Sequence, residues 1–227
     1  MKARGEHMPS PVTVFVTAFV VGLSGALMPG PLTVVVLHGA ITSGPLAGPL
    51  ATLSHGLLEL AMVAALVAGM SRVLRRRGVA AALALVGGLV LFWMGWGMVA
   101  TAPAAALPAS GAAAPAGAGP FVAGIAATLA NPYWFLWWAT VGASQLAWAR
   151  SVGNQLAFWG GHVLADLAWL TLLAIAVAGG RTLLTDSTYR GVLFGLGGTI
   201  MLLGGYFLVS AGRLSRPEQR PRSRPSA

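Results

Sequence analysis

The sequence predicts an all-α, polytopic membrane protein: six transmembrane helices arranged as a 3+3 inverted repeat, with the first and fourth helices broken. Three observations carry this expectation. Of 227 residues, 56% are hydrophobic and only 8% are charged, which is a membrane composition rather than a soluble one. Six apolar segments approach or exceed the roughly 20 residues that a membrane-spanning helix requires. Two proline-containing breaks, Pro29-Gly30-Pro31 and Asn131-Pro132, occupy corresponding places in two halves that share further matching residues.

The first segment, 12–28, follows an N-terminal stretch (1–11) carrying Lys2 and Arg4. That start superficially resembles a signal peptide, but cleavage near Ser24-Gly25-Ala26 would remove a helix and leave an odd number of spans. Pro29-Gly30-Pro31 then removes backbone donors and disfavours helix at the residue before each ring. In lipid such a break survives only where protein buries it or a wet cavity meets it. The segment therefore either ends there or continues past the break to residue 41. Segments 46–70 and 79–100 complete the first repeat, 12–100. Residues 101–119 are Ala, Pro and Gly with one Thr, one Leu and one Ser, a linker that cannot bury a side-chain core. The second repeat, 120–212, holds segments 121–148, 153–179 and 191–211. The tail, 213–227, is rich in Arg, Pro and Ser and reads as disordered.

Arginine and lysine fix the expected orientation. Lys2, Arg4, Arg72, Arg75, Arg76, Arg77, Arg150 and the arginines from Arg213 onward fall on one side, and only Arg181 and Arg190 on the other. Both termini are expected in the cytoplasm of a bacterial or archaeal cell, with the chain in its inner membrane. The net charge of +9 lies between apolar runs and in the tail, which fits an anionic bilayer surface rather than nucleic acid. There is no cysteine, which excludes disulfides, thiolate metal sites and thiol redox relays.

The halves share ionisable residues as well as breaks. Ser54-His55-Gly56-Leu57-Leu58-Glu59 matches Gly161-His162-Val163-Leu164-Ala165-Asp166, and Gly87-Gly88 and Gly95-Trp96 match Gly197-Gly198 and Gly205-Tyr206. Three spans per half require the second half to be inverted, the plan of many secondary transporters, whose site lies near the midplane. Of five acidic residues, only Glu59 and Asp166 lie deep in apolar segments, where insertion costs about 2.5–3.5 kcal/mol and function is the default reading. His55–Glu59 and His162–Asp166 are both i,i+4, so each pair lies on one helix face and can share a hydrogen bond. Proton or cation handling is one reading of these pairs, and helix-to-helix polar glue the other. The half-helices after Pro31 and Pro132 would present free N–H groups and a positive dipole end, a cradle for a carboxylate. Asn131 would either contact substrate or cap its half-helix.

Other signals are weaker. Trp134, Trp137, Trp138, Trp93 and Trp96 could line a cavity; more often such residues sit at headgroup level or pack between helices. Gly191, Gly195, Gly87 and Gly88 are expected to allow close helix packing. Gly22-Leu23-Ser24-Gly25 matches the Gly-x-Ser-Gly of rhomboid proteases but stands in the wrong span and lacks the accompanying Trp-Arg motif, so no enzyme and no cofactor are expected. Two histidines and two carboxylates could ligate a divalent metal only if they converge across the repeat axis; no resident metal is assigned.

Met28-Pro29-Gly30-Pro31, with Phe121-Val122-Ala123-Gly124 and Leu129-Ala130-Asn131-Pro132, resembles the signature segments of the LysE/RhtB family of amino-acid exporters over residues 12–211. The resemblance implies a small six-helix exporter driven by the proton gradient and often a homodimer. Met28, Leu32 and Leu58-Glu59 depart from the family's commoner residues. The resulting expectation is a secondary transporter that exports a small amino acid or related zwitterion by proton exchange. Glu59 and Asp166 would bind the proton or the substrate amine, His55 and His162 would tune them, and Pro29, Gly30, Pro31, Asn131 and Pro132 would open the helices to the substrate carboxylate. The alternatives are a divalent-cation exporter of the same superfamily and a non-transporting membrane scaffold.

Overall fold

In the computed structural model, residues 9–74, 76–109 and 119–215 are described, and every regular element among them is helical. Helix α1 (Pro11–Ala26) opens with Ser10, whose hydroxyl accepts from the Thr13 N–H at 3.2 Å, and with Pro11 in the first turn, where no amide is needed. After the break, α2 runs Pro31–Ser43 at 80° to α1. Gly44, at φ 92°, turns the chain into α3 (Ala47–Leu74), a conformation glycine adopts without Cβ strain. Helix α3 is kinked at Leu66–Met70, where Gly69 has φ 101°. Helix α4 spans Arg77–Thr101 and ends in a 3₁₀ turn at Ala102–Ala104.

The second half repeats the pattern. Helix α5 (Pro120–Leu129) stops at Asn131, and α6 (132–146) contains a wide turn at Trp138–Gly142. Helix α7 is Val152–Gly179, capped by the Ser151 hydroxyl. Helix α8 is Asp186–Ser215, longer at both ends than the apolar segment 191–211. Its extra first turn is polar: the Thr185 hydroxyl accepts from the Thr188 N–H at 3.2 Å, and Asp186 sits where the helix dipole favours an acid. Its last turn is held by Arg77, whose guanidinium donates to the Leu214 and Arg213 carbonyls. The tail expected to be disordered thus begins as helix at 213–215, and the rest of it, like residues 1–8 and most of the linker, lies outside the described residues.

Among the described residues, four helices (α3, α4, α7 and α8) are long and apolar enough to cross a membrane by themselves, and α1 with α2 forms a bent pair that passes the same test. Contacts at the ends show that this pair traverses the bundle rather than turning back. Pro9, at the start of α1, accepts from Asn154 at the start of α7, whereas Ile41, at the end of α2, accepts from Arg181 beyond the end of α7. Pro120 packs near Gly39 of α2 and α6 ends beside the start of α7, so the α5–α6 pair traverses the bundle as well. The break therefore interrupts a helix pair that runs from one end of the bundle to the other.

Each half contributes its first helix to the other half. Helix α1 packs along α7, where a side chain at Gly22 would meet His162; α5 packs on α3, where one at Gly124 would meet Ser54 and Ala51. Helices α4 and α8 form a glycine-lined antiparallel pair. A Cβ at Gly88 would lie 3.0 Å from the Gly204 carbonyl oxygen, and one at Gly95 2.5 Å from that of Gly197. Gly87 seats α4 on the ring of Pro132. Gly191 and Gly195 face open space instead, contrary to the packing expected of them, because they lie on the side of α8 turned away from α4. The outer surface of the bundle is strongly apolar, with Leu53, Leu172, Leu202 and Val209 all more than half exposed, a surface suited to hydrocarbon rather than water.

Candidate functional site

The site forms where α3 and α7 cross. These helices run antiparallel and closely, because Gly48 and Gly56 leave room for the Leu170 carbonyl and the Val163 side chain. That approach brings His55 and Glu59 of α3 against His162 and Asp166 of α7. Glu59 Oε1 lies 3.1 Å from His55 Nε2 and 3.0 Å from His162 Nε2. Asp166 Oδ2 stands 3.7 Å from His162 Nε2 and 3.9 Å from His55 Nε2. The arrangement differs from two independent i,i+4 pairs. His55–Glu59 does bond within its helix, but His162 bonds across to Glu59 rather than to Asp166, because the close crossing places Glu59 between the two rings. Glu59, His162 and Asp166 are buried, Glu59 completely. Glu59 Oε2, Asp166 Oδ2 and His162 Nδ1 have no hydrogen-bond partner among the described residues, which for buried polar groups is a costly condition that a ligand would relieve.

The two histidines are held differently. Thr128 of α5 donates its hydroxyl proton to the Gly124 carbonyl at 2.8 Å, so its oxygen must accept from His55 Nδ1, also at 2.8 Å. His55 therefore carries a proton on Nδ1. The close contact between its Nε2 and Glu59 then requires one further proton, shared between imidazole and carboxylate. His162 Nδ1 faces the bare backbone of Gly22 and has no such anchor. Thr128 was not among the residues singled out from sequence. Its one legible signal is that it stands a single helical turn before Asn131.

The two breaks meet at the same place. Asn131 caps α6, its Oδ1 accepting from the Tyr133 N–H at 3.1 Å, while its Nδ2 lies 3.6 Å from where a Cβ on Gly30 would stand. A cavity of about 70 Å³ is lined by Pro29, Gly30, His55, Glu59, Asn131, His162 and Asp166 together, and Met28, Leu32 and Thr33 also face it. Pro31 and Pro132 do not line it; Pro31 is buried in the first turn of α2 and Pro132 packs against α4. Trp134, Trp137 and Trp138 line the cavity while also packing between helices, and the Trp137 ring lies 4.5 Å from that of His162. Trp93 and Trp96 are exposed on α4, and Trp93 also lines a second cavity, between α2, α4 and α8. Ser24 of the Gly-x-Ser-Gly sequence is exposed on α1 and donates to the Val21 carbonyl.

Chemically, one wall of this cavity offers two carboxylates and two imidazoles, and the other offers the N-terminal ends of two half-helices, where amides lack intrahelical acceptors. His55, Glu59 and Asp166 also place ligand atoms within 4.8 Å of one another, so the convergence that a divalent cation would need is met. The family model of the LysE type translocators matches residues 23–211. No curated protein and no solved structure matches the chain.

Proposed function

The chain belongs to the LysE type translocator family, and from that premise we propose that it exports a small amino acid or related zwitterion across the cytoplasmic membrane in exchange for protons. The observation that carries this reading is the single cavity shared by Glu59, Asp166 and both helix breaks. An ammonium group would sit against the carboxylates, and a substrate carboxylate against Gly30, Thr33 and the Asn131 amide. The proton shared by His55 and Glu59 is the coupling proton: it leaves when the ammonium arrives and returns after the cargo has gone. All six passes of the chain cross the bilayer in this reading, with the termini and the arginine-rich end, where Arg77 holds Leu214, in the cytoplasm.

A second reading, export of a divalent cation, is favoured by one specific observation, the approach of His55, Glu59 and Asp166 to a common point. Proteoliposomes loaded with a pH dye separate the two. Under a proton gradient, a labelled amino acid should move against an opposite proton flux. Flux of Zn²⁺ or Cd²⁺ without amino-acid flux would establish the cation reading, and no flux of either would leave a scaffold.

A further inference from the structure

A second, much larger cavity, of about 780 Å³, lies between α2, α4 and α8. Three helices place it directly beyond the site. On α2, Leu32 and Thr33 line the small cavity, and the next residues, Val34 and Val35, line the large one. On α7 the corresponding residues are Leu170 and Val177, and on α8 they are Leu203 and Leu196. Seven residues of helix correspond to roughly 10 Å. All three steps point the same way, toward the end of the bundle where Arg181 holds Ile41 and away from the end where Arg77 holds Leu214. In the opposite direction the site is closed by Trp137, Trp138 and Phe158, which pack on one another and on His162.

The wall of the large cavity is almost wholly aliphatic and aromatic. Its threonine hydroxyls are already spent within their own helices, Thr42 on the His38 carbonyl and Thr101 on the Gly97 carbonyl. His38 contributes one buried, unpartnered nitrogen, the Ser43 hydroxyl lies 3.3 Å from that of Thr42, and Tyr189 is the remaining polar residue on the wall. A chamber of this character, lying next to a compact charged pocket along the same three helices, is complementary to a molecule with a small zwitterionic head and an apolar tail.

We infer that the cargo is an amino acid with a large apolar side chain, its head held at the Glu59–Asp166 cluster and its side chain lodged in the chamber between α2, α4 and α8. The inference rests on the amino-acid reading of the site and narrows it. A charged or strongly polar side chain would have to be desolvated against Val34, Val35 and Leu196 with almost no partner, which selects against lysine or glutamate as cargo.

Transport by the full chain in proteoliposomes tests this, with labelled alanine, leucine, phenylalanine, lysine and glutamate. Leucine and phenylalanine should be carried at least ten-fold more efficiently than lysine and glutamate. Gly97 lines the chamber, and a Cβ there meets nothing within 4 Å, so Gly97→Phe starts a bulky side chain from an open point on the wall. It should lower the phenylalanine-to-alanine flux ratio at least ten-fold, and Ala105→Phe, at another point on the wall, should act in the same direction. If lysine or glutamate is preferred, or if both variants leave the ratio at its original value, the inference is overturned while amino-acid transport stands. If only divalent cations move, the amino-acid reading fails and this inference fails with it.

Discussion

At Glu59 one carboxylate oxygen serves two imidazoles from different helices, at 3.1 and 3.0 Å. The consequences are local and testable. Thr128 is a positioning residue: it fixes the His55 ring and the site of its proton, so Thr128→Val, which keeps the shape and loses the hydroxyl, should lower the rate of proton-coupled transport about ten-fold, consistent with the loss of roughly one buried hydrogen bond. Thr128→Ser should restore it. Equal activity in all three proteins, measured across a range of pH, would remove Thr128 from the mechanism. Gly22 matters for a steric reason. A Cβ there would stand 2.7 Å from His162 Nδ1 and 3.3 Å from its Cα, so Gly22→Val should displace the ring and cost about 1–3 kcal/mol of stability, read as a lower unfolding temperature together with reduced flux. The identities of these ionisable residues were legible in the sequence, because Glu59 and Asp166 are rare charges in apolar helices. Their bonding was not: i,i+4 spacing describes one helix, and the bond from His162 to Glu59 depends on how two helices cross.

The elements divide into a crossing bundle that holds the site and the α4–α8 pair packed beside it. Helices α4 and α8 approach through glycines because their backbones nearly touch, with a Cβ at Gly95 only 2.5 Å from the Gly197 carbonyl oxygen. Gly95→Val should therefore separate the pair and lower thermal stability in detergent by an amount on the order of 1–3 kcal/mol. Gly198→Ala, at a position open to space, should be neutral or stabilising by up to about 1 kcal/mol, the helix-propensity gain of alanine over glycine. Equal destabilisation by both would contradict the assigned interface. Prolines announced both breaks, since ring sterics operate wherever the chain goes. The 80° turn between α1 and α2, and the meeting of Gly30 with Asn131, come from packing between the halves and leave no mark in local sequence. The same limit explains Gly191 and Gly195, where glycine content alone does not say which side of α8 faces a neighbour.

At the scale of the whole molecule, the arginine asymmetry predicts that the end where Arg77 holds Leu214 faces the cytoplasm. The natural absence of cysteine makes this simple to check. Ser151→Cys, beside the start of α7, should react with a membrane-impermeant maleimide only in inverted vesicles, and Thr185→Cys, beside the start of α8, only in intact cells; the reverse pattern would invert the topology. The all-helical membrane class and the positions of both breaks could be read from spacing and composition, whereas the convergence of the four ionisable groups and the large apolar chamber depend on tertiary packing. Those groups are the centre of the account, and proton-coupled flux in proteoliposomes measures them most directly. Glu59→Gln and Asp166→Asn, each shown to be folded by its unfolding profile, should lose proton-coupled export of the cargo by at least about 100-fold, the scale of a lost buried charge contact. Full coupled flux in both variants would contradict the account.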